Sequence, residues 1–288
     1  MKNIFKILLV LFILFLLFTN REILIYSTLQ SFDLFNKAIF PSIFPIMILS
    51  DFILSTKLIN VLSNSLGILF SKIFKVNKCS IYPFIMSCLS GTPSNAKYIN
   101  DLLENKSICV KEAEKLLSMC MLYNPFLIIS LTKYLEFEDS MLIIVINIII
   151  NLIIGLINRN YKIEIKNEVI KNKKFSLVNS INNSVNTLLS ILGIVVLFNI
   201  INNLLPIKHP LITGIFEITN GLNLVGNVIS SYKNKIIYTG ILLSFGGLSI
   251  ITQIKSIFKN ENTFNYTLFY KSRIIHLILF VITLFIIF

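Results

Sequence analysis

The chain has 288 residues, 55% hydrophobic and only 14% charged, with a mean hydropathy of +0.80 and a formal net charge of +12. Soluble domains carry about a quarter charged residues, and a single water-soluble core of this length cannot hide so much apolar surface. The composition therefore excludes an ordinary soluble protein and names lipid as the solvent. The basic residues lie between apolar segments rather than in one patch, so they read as headgroup and orientation contacts, and no nucleic-acid partner is expected.

In chain order, Lys2 and Lys6 precede an apolar run over 7–18 that no small-residue cleavage site follows, which predicts a retained first membrane helix. Over 21–40, Ile23, Leu24, Leu29, Phe32, Leu34 and Phe35 fall loosely at helical spacing among polar residues, the pattern of a helix lying along the interface. Pro41 and Pro45 open an apolar helix over 46–55 that contains Asp51. A helix over 58–74 follows and ends in the basic turn of Lys72, Lys75 and Lys78. The apolar stretch 80–90 is only about half a membrane deep and stops at Gly91-Thr92-Pro93-Ser94-Asn95-Ala96-Lys97.

The next helix starts near Lys111, with Glu112 and Glu114 in its first turn as the helix dipole favours; it breaks at Asn124-Pro125 and resumes over 126–131. The segment 141–157 is uncharged, broken only by Asn147 and Asn151, and spans. Arg159, Lys162, Lys166, Lys171, Lys173 and Lys174 outweigh Glu164 and Glu168 in the following stretch, which marks it as a cytoplasmic loop. A second uncharged span covers 187–205, and a helix over 211–230 carries Gly214, Glu217, Asn220 and Gly221. The apolar stretch 236–245 stops at Gly246-Gly247-Leu248-Ser249, and a polar linker begins beyond Gln253. The last helix starts near 270–273 and runs to 288 with His276 as its one ionisable group beyond the start.

The expected fold is all-α, a polytopic transmembrane helical protein of about 8 spans with two re-entrant or broken-helix repeats, inverted with respect to each other. Its parts are an N-terminal helix (1–20), a first repeat half (21–157), a basic loop (158–175) and a second repeat half (176–288). Cys79, Cys88, Cys109 and Cys120 form no C-x-x-C pair, and only His209 and His276 could join them, so no metal, cofactor or disulfide framework is expected. Neither a nucleophile–base set nor a Walker motif is visible, so the chain is not expected to be an enzyme.

Each half holds a helix with one acid, Asp51 or Glu217, and a short apolar stretch ended by a glycine–serine break, Gly91-x-x-Ser94 or Gly246-x-x-Ser249. Paired, interrupted apolar segments point to a transporter binding site. Unwound backbone in lipid leaves polar groups unpaired at several kcal/mol each, so a break persists where protein, water or ligand satisfies it. Half-helix N-termini offer free N–H groups and partial positive charge, suited to a carboxylate. The same breaks can also be read as ordinary loops between short helices at the membrane surface. The acids Asp51 and Glu217 favour the first reading as intramembrane or coupling carboxylates.

The strings Phe40-Pro-Ser-Ile-Phe-Pro45, Ser90-Gly-Thr-Pro-Ser-Asn-Ala-Lys97, Glu112-Ala-Glu-Lys-Leu-Leu117, Tyr123-Asn-Pro-Phe126, Phe216-Glu-Ile-Thr-Asn-Gly221 and Ser244-Phe-Gly-Gly-Leu-Ser249 with Gln253 occur in that order. Together they resemble the sporulation integral membrane proteins of the YlbJ (SpoVV) type, a group similar to membrane proteins with nucleoside-recognition gate domains. The resemblance covers about residues 40–275. It implies a transporter or channel component for a small organic anion, dipicolinic acid, moved across the outer forespore membrane of a spore-forming bacterium. It further implies re-entrant tips that bind substrate through Gly91, Thr92, Pro93, Ser94, Asn95, Lys97, Asn124, Gly246, Gly247, Ser249 and Gln253. Lys97 and Arg273 are candidate charge partners near the breaks, with headgroup contacts as the alternative reading. Implied partners are the lipid bilayer, the anion and other sporulation membrane proteins. Alternative readings are a structural membrane protein for spore assembly and a nucleoside-type transporter. The sequence departs from the family pattern at Asn95, where a small residue is expected, and at Ile250-Ile251, where a histidine is expected before the glutamine.

Overall fold

A computed structural model describes residues 19–163, 175–258 and 264–288. The expected first helix over 7–18, the basic residues from Lys166 to Lys174 and part of the linker beyond Gln253 lie outside the described residues. Among the described residues the regular structure is entirely helical, and five helices are long and apolar enough to cross a membrane: Arg21–Ser55, Phe137–Asn160, Leu177–Leu204, Tyr232–Ile257 and Thr267–Ile287. The chain is a polytopic helical membrane protein. Its sidedness is that of a protein in lipid: on Phe137–Ile157, Val145, Ile149, Ile153 and Leu156 are exposed while Asn147 and Asn151 are buried. Apolar side chains face out, and polar ones face the interior where partners exist.

The stretch 21–40 is not a separate interfacial helix. Arg21–Leu34, a π-helical turn at Phe35–Ile39 and Phe40–Ser55 join into one helix of 35 residues. Its length of about 52 Å exceeds the roughly 30 Å hydrocarbon core. Pro41 has no N–H to give the carbonyl of Lys37, and its ring crowds the preceding turn, so the helix widens there instead of ending. The Ser42 hydroxyl donates to the Ala38 carbonyl at 2.6 Å, a repair of the kind that keeps proline tolerable in a membrane helix.

This long helix packs on Leu177–Leu204. Phe35, Ile39, Ile43 and Met47 interlock with Leu188, Ile191, Leu192 and Val195. Farther along, Asn199 donates to the Ser31 hydroxyl at 2.6 Å and Asn203 to the Ser27 hydroxyl at 2.9 Å. In lipid, helices associate through such packing and polar bonds rather than through the hydrophobic effect. The pair forms one side of the molecule. The short and broken helices form the other, around a core that includes Tyr82, Tyr98, Leu102, Leu116, Ile143, Leu222 and Phe280.

The expected helix over 58–74 divides at Ser65 into Leu58–Asn64 and Leu66–Phe74. Glu112, read from sequence as a dipole-complementing acid, has a more specific role. Buried at the start of Val110–Met119, it accepts from the Asn77 backbone N–H, the Asn77 amide and the Ser80 hydroxyl, and so ties that helix to the turn before Ile81–Ser90.

Candidate functional site

Ile81–Ser90 runs about 15 Å, stops at Gly91 and, after the cis Thr92–Pro93 peptide, the chain turns back as Ser94–Glu104. The two helices pack on each other as a hairpin. Gly91 has φ 72° and ψ −168°, backbone that is essentially reserved for glycine. The next element, Val110–Met119, ends, the chain runs unwound through 120–124, and the helix restarts as Pro125–Leu131. Both pieces lie along Phe137–Ile157, so they are one discontinuous helix. The Asn124 carboxamide oxygen caps the restart, accepting from the Phe126 N–H at 2.9 Å and the Leu127 N–H at 3.2 Å.

The second half has the same order. The expected helix over 211–230 is in fact two, Pro210–Phe216 and Ile218–Val228, folded into a hairpin at Glu217. Its arms touch through glycine: a Cβ on Gly221 would lie 2.6 Å from the Gly214 Cα. One Glu217 carboxylate oxygen caps the second arm, accepting from the Thr219 N–H at 3.3 Å and the Thr219 hydroxyl at 3.2 Å. Tyr232–Phe245 and Gly247–Ile257 then form a discontinuous helix broken at Gly246. The two glycine–serine breaks are thus different objects. Gly91–Ser94 is a hairpin tip whose structural counterpart is Glu217, and Gly246–Gly247 interrupts a continuing helix, as 120–124 does in the first half.

Each tip sits on a break. At the first, the Thr92 N–H donates to the Leu122 carbonyl at 2.7 Å and the Asn95 amide donates to the Cys120 carbonyl at 2.9 Å, so unwound backbone finds its partners on the tip. The departure at Asn95 is explained by that bond: a small residue there could not reach Cys120. At the second, a Cβ on Gly247 would lie 3.0 Å from the Gly214 carbonyl oxygen and 3.4 Å from the Ile218 nitrogen. The halves then meet. A Cβ on Gly246 would lie 2.4 Å from the Met121 methyl and 3.1 Å from the Tyr123 hydroxyl. The unwound segment of one half therefore presses on the helix break of the other.

The expected ligand donors are largely occupied. The Ser94 hydroxyl bonds the Ser90 hydroxyl at 2.8 Å and the Gly91 carbonyl at 2.7 Å, and the Ser249 hydroxyl accepts from Gln253 at 2.9 Å and lies beside the Glu217 carboxylate. At the first tip, Asn95 N–H donates to the Gly91 carbonyl at 3.1 Å and Ala96 N–H to the Pro93 carbonyl at 3.0 Å, and Pro93 has no N–H to offer. Ser94 and Ser249 lie on helices that pack together, without a bond between them. Lys97 is neutralised: its ammonium contacts Asp51 at 2.5 Å and Asp101 at 2.9 Å. Asp51 is correspondingly not a lone intramembrane acid, since it also accepts from the Ser180 hydroxyl at 2.6 Å. Glu217 is 2% exposed and keeps its second oxygen unpartnered.

A cavity of about 520 Å³ opens beside this triad, lined on one side by Asp51, Lys97, Asp101 and Glu104 and on the other by the polar stripe of Leu177–Leu204, including Asn179, Asn183 and Asn186. Three acids face one base there, so this cavity does not favour an anion.

Sequence reasoning gave little weight to a second polar cluster. Arg273 donates to the Ser118 carbonyl at 3.1 Å and the Asn151 carboxamide oxygen at 3.0 Å. Asn151 in turn donates to the Met121 carbonyl at 3.2 Å, on the unwound segment. His276 bridges the Ser244 hydroxyl at 3.1 Å and the Asn147 amide at 3.2 Å. The signal was legible in the spacing: Asn147 and Asn151 four apart, Arg273 and His276 three apart, each pair on one face of an otherwise apolar helix.

The chain is similar to the sporulation integral membrane protein YlbJ of Bacillus subtilis (strain 168), 23% identical over 291 residues that cover 83% of this chain and 71% of the relative. The similarity is to a sporulation integral membrane protein and covers most of both chains. No family model matches it, and no solved structure does. The alignment with YlbJ extends over more than four-fifths of the chain, too much to be carried by a single hairpin or helix break, so the similarity concerns the fold as a whole.

Proposed function

We propose that this YlbJ relative moves a small organic anion across a membrane during spore formation, with dipicolinate in the outer forespore membrane as the specific case. The observation that carries the reading is the seating of two helical-hairpin tips on two unwound helix breaks that themselves touch at Met121, Tyr123 and Gly246. Broken helices inside a bilayer are expensive unless their exposed backbone serves a polar ligand or pathway. A hairpin held by a few hydrogen bonds can slide or tilt while the long pair Arg21–Ser55 and Leu177–Leu204 stays fixed, which provides alternating access without covalent chemistry. Glu217, at the second tip, is the acid available for coupling, because Asp51 is already paired.

Reconstitution tests it. Purified protein in liposomes should accelerate entry of radiolabelled dipicolinate over empty liposomes, and benzoate or acetate should compete weakly. Flux equal to that of empty liposomes, with no binding in detergent, would sink the reading. A second reading, a nucleoside-type transporter, is favoured by the acidic, amide-lined cavity of about 520 Å³, which suits a neutral polar solute. Competition by nucleosides against dipicolinate would support it.

A further inference from the structure

The anion reading on which this inference rests requires a positive charge inside the membrane that is not already neutralised. Three buried cations come into question. Lys97 lies between two carboxylates. Lys115 donates to the carbonyls of Phe74 at 2.6 Å and Arg159 at 3.0 Å, which fixes it as a clamp between chain segments. Arg273 differs from both. It is 4% exposed, has no carboxylate in ion-pairing distance among the described residues, and leaves its Nε and Nη1 without an acceptor.

A guanidinium buried in this way is costly, because it has surrendered water for neutral acceptors through one nitrogen and the face of the Phe269 ring 5.8 Å away. Such donors call for an acceptor that the described protein does not supply. The surroundings indicate where it would sit. The occupied nitrogen, Nη2, holds Ser118 and Asn151, the residues that frame the unwound segment from both sides. Tyr123, on that segment, lies within electrostatic reach of Arg273 and has its own buried hydroxyl unpartnered, at the approach to Gly246. Buried guanidinium N–H groups and one buried phenol hydroxyl are thus left without acceptors beside the unwound segment at which the two halves cross.

We infer that Arg273 and Tyr123 bind a carboxylate of the transported anion at this crossing, Arg273 through its Nη1 N–H and Tyr123 through its hydroxyl. A charge-assisted N–H bond from Nη1 to one carboxylate oxygen and an O–H bond from the phenol to the other would satisfy both groups. Lysine, with a single point of charge, would not replace it. The site assigns carboxylate recognition to residues outside both glycine–serine motifs, and it leaves Lys97 a structural part.

The test is dipicolinate binding to purified full-length protein by calorimetry, alongside melting temperature without ligand. Arg273→Gln should weaken binding at least tenfold, Arg273→Lys should restore only part of it, and Tyr123→Phe should weaken it three- to tenfold. Lys97→Met paired with Asp101→Asn should leave affinity within twofold. Removal of an unpaired buried charge should leave the ligand-free melting temperature of Arg273→Gln unchanged or higher, whereas a purely structural Arg273 would lower it without altering affinity. If Arg273→Gln fails to fold, Tyr123→Phe decides, since it deletes only an unpartnered hydroxyl. Wild-type binding with unchanged affinity in Tyr123→Phe and Arg273→Gln would overturn this inference and leave the anion reading standing. Absence of wild-type binding would overturn both.

Discussion

Gly91→Ala tests whether the first tip is as tightly fitted as its geometry implies. Alanine at φ 72° and ψ −168° carries a backbone cost of about 1–3 kcal/mol. Its Cβ would also lie 2.1 Å from the Asn124 nitrogen and 2.7 Å from the Tyr123 carbonyl carbon. Both are backbone atoms, so no rotamer change relieves the clash; the tip must lift off the unwound segment by about 1 Å, an overpacking cost of about 1–3 kcal/mol. The displacement would also stretch the Thr92 N–H bond to the Leu122 carbonyl, now 2.7 Å. The expected loss is about 2–6 kcal/mol, with transport abolished. The control is Gly193→Ala, in the middle of Leu177–Leu204, where a Cβ would meet nothing within 4 Å and alanine should be neutral or stabilise by about 0.5–1 kcal/mol. Denaturation of both variants in the same detergent measures the difference. Equal stability of the two, or active Gly91→Ala protein, would refute the argument that this contact fixes the tip.

Three further outcomes are expected. Glu112→Ala strands the Asn77 N–H, the Asn77 amide and the Ser80 hydroxyl, so it should cost about 3 kcal/mol, and Glu112→Gln clearly less; thermal unfolding of the two variants distinguishes them. Lys97→Met leaves Asp51 and Asp101 facing the same gap, an uncompensated pair that should cost about 2–3 kcal/mol and be largely rescued by Asp101→Asn; additivity in that double-mutant cycle would argue against the triad. Asn95→Leu conserves bulk but removes one of two donors to the Cys120 carbonyl, so it should cost only about 1–2 kcal/mol while slowing dipicolinate flux; flux equal to wild type would show that the tip does not need that bond.

The membrane class, the helical fold and most spanning segments were legible in the sequence because lipid enforces them locally. A stretch such as 141–157 has no alternative to a spanning helix, and Asn147 and Asn151 announce which face turns inward. The long first helix was misread because proline ordinarily marks a helix start. Whether Pro41 ends a helix or is absorbed by a π-turn depends on neighbours such as Ser42, whose hydroxyl bonds the Ala38 carbonyl in the widened turn. The hairpin at Glu217 was hidden for a related reason. Its string looks helical throughout, and only the close approach of Gly214 and Gly221 makes the reversal favourable.

The sequence by itself thus determined the solvent, the all-helical class and the presence of two interrupted regions, since each follows from composition and short-range spacing. Tertiary structure alone decided which interruptions correspond: Gly91 with Glu217 at hairpin tips, and 120–124 with Gly246 in broken helices. It also decided the state of the charges. Lys97 and Asp101 sit four apart on one helix, but Asp51 joins them only when a second helix packs alongside, while Arg273 is left with open donors near the crossing. Charge pairing depends on distances across the fold, and those distances are set by packing rather than by order along the chain.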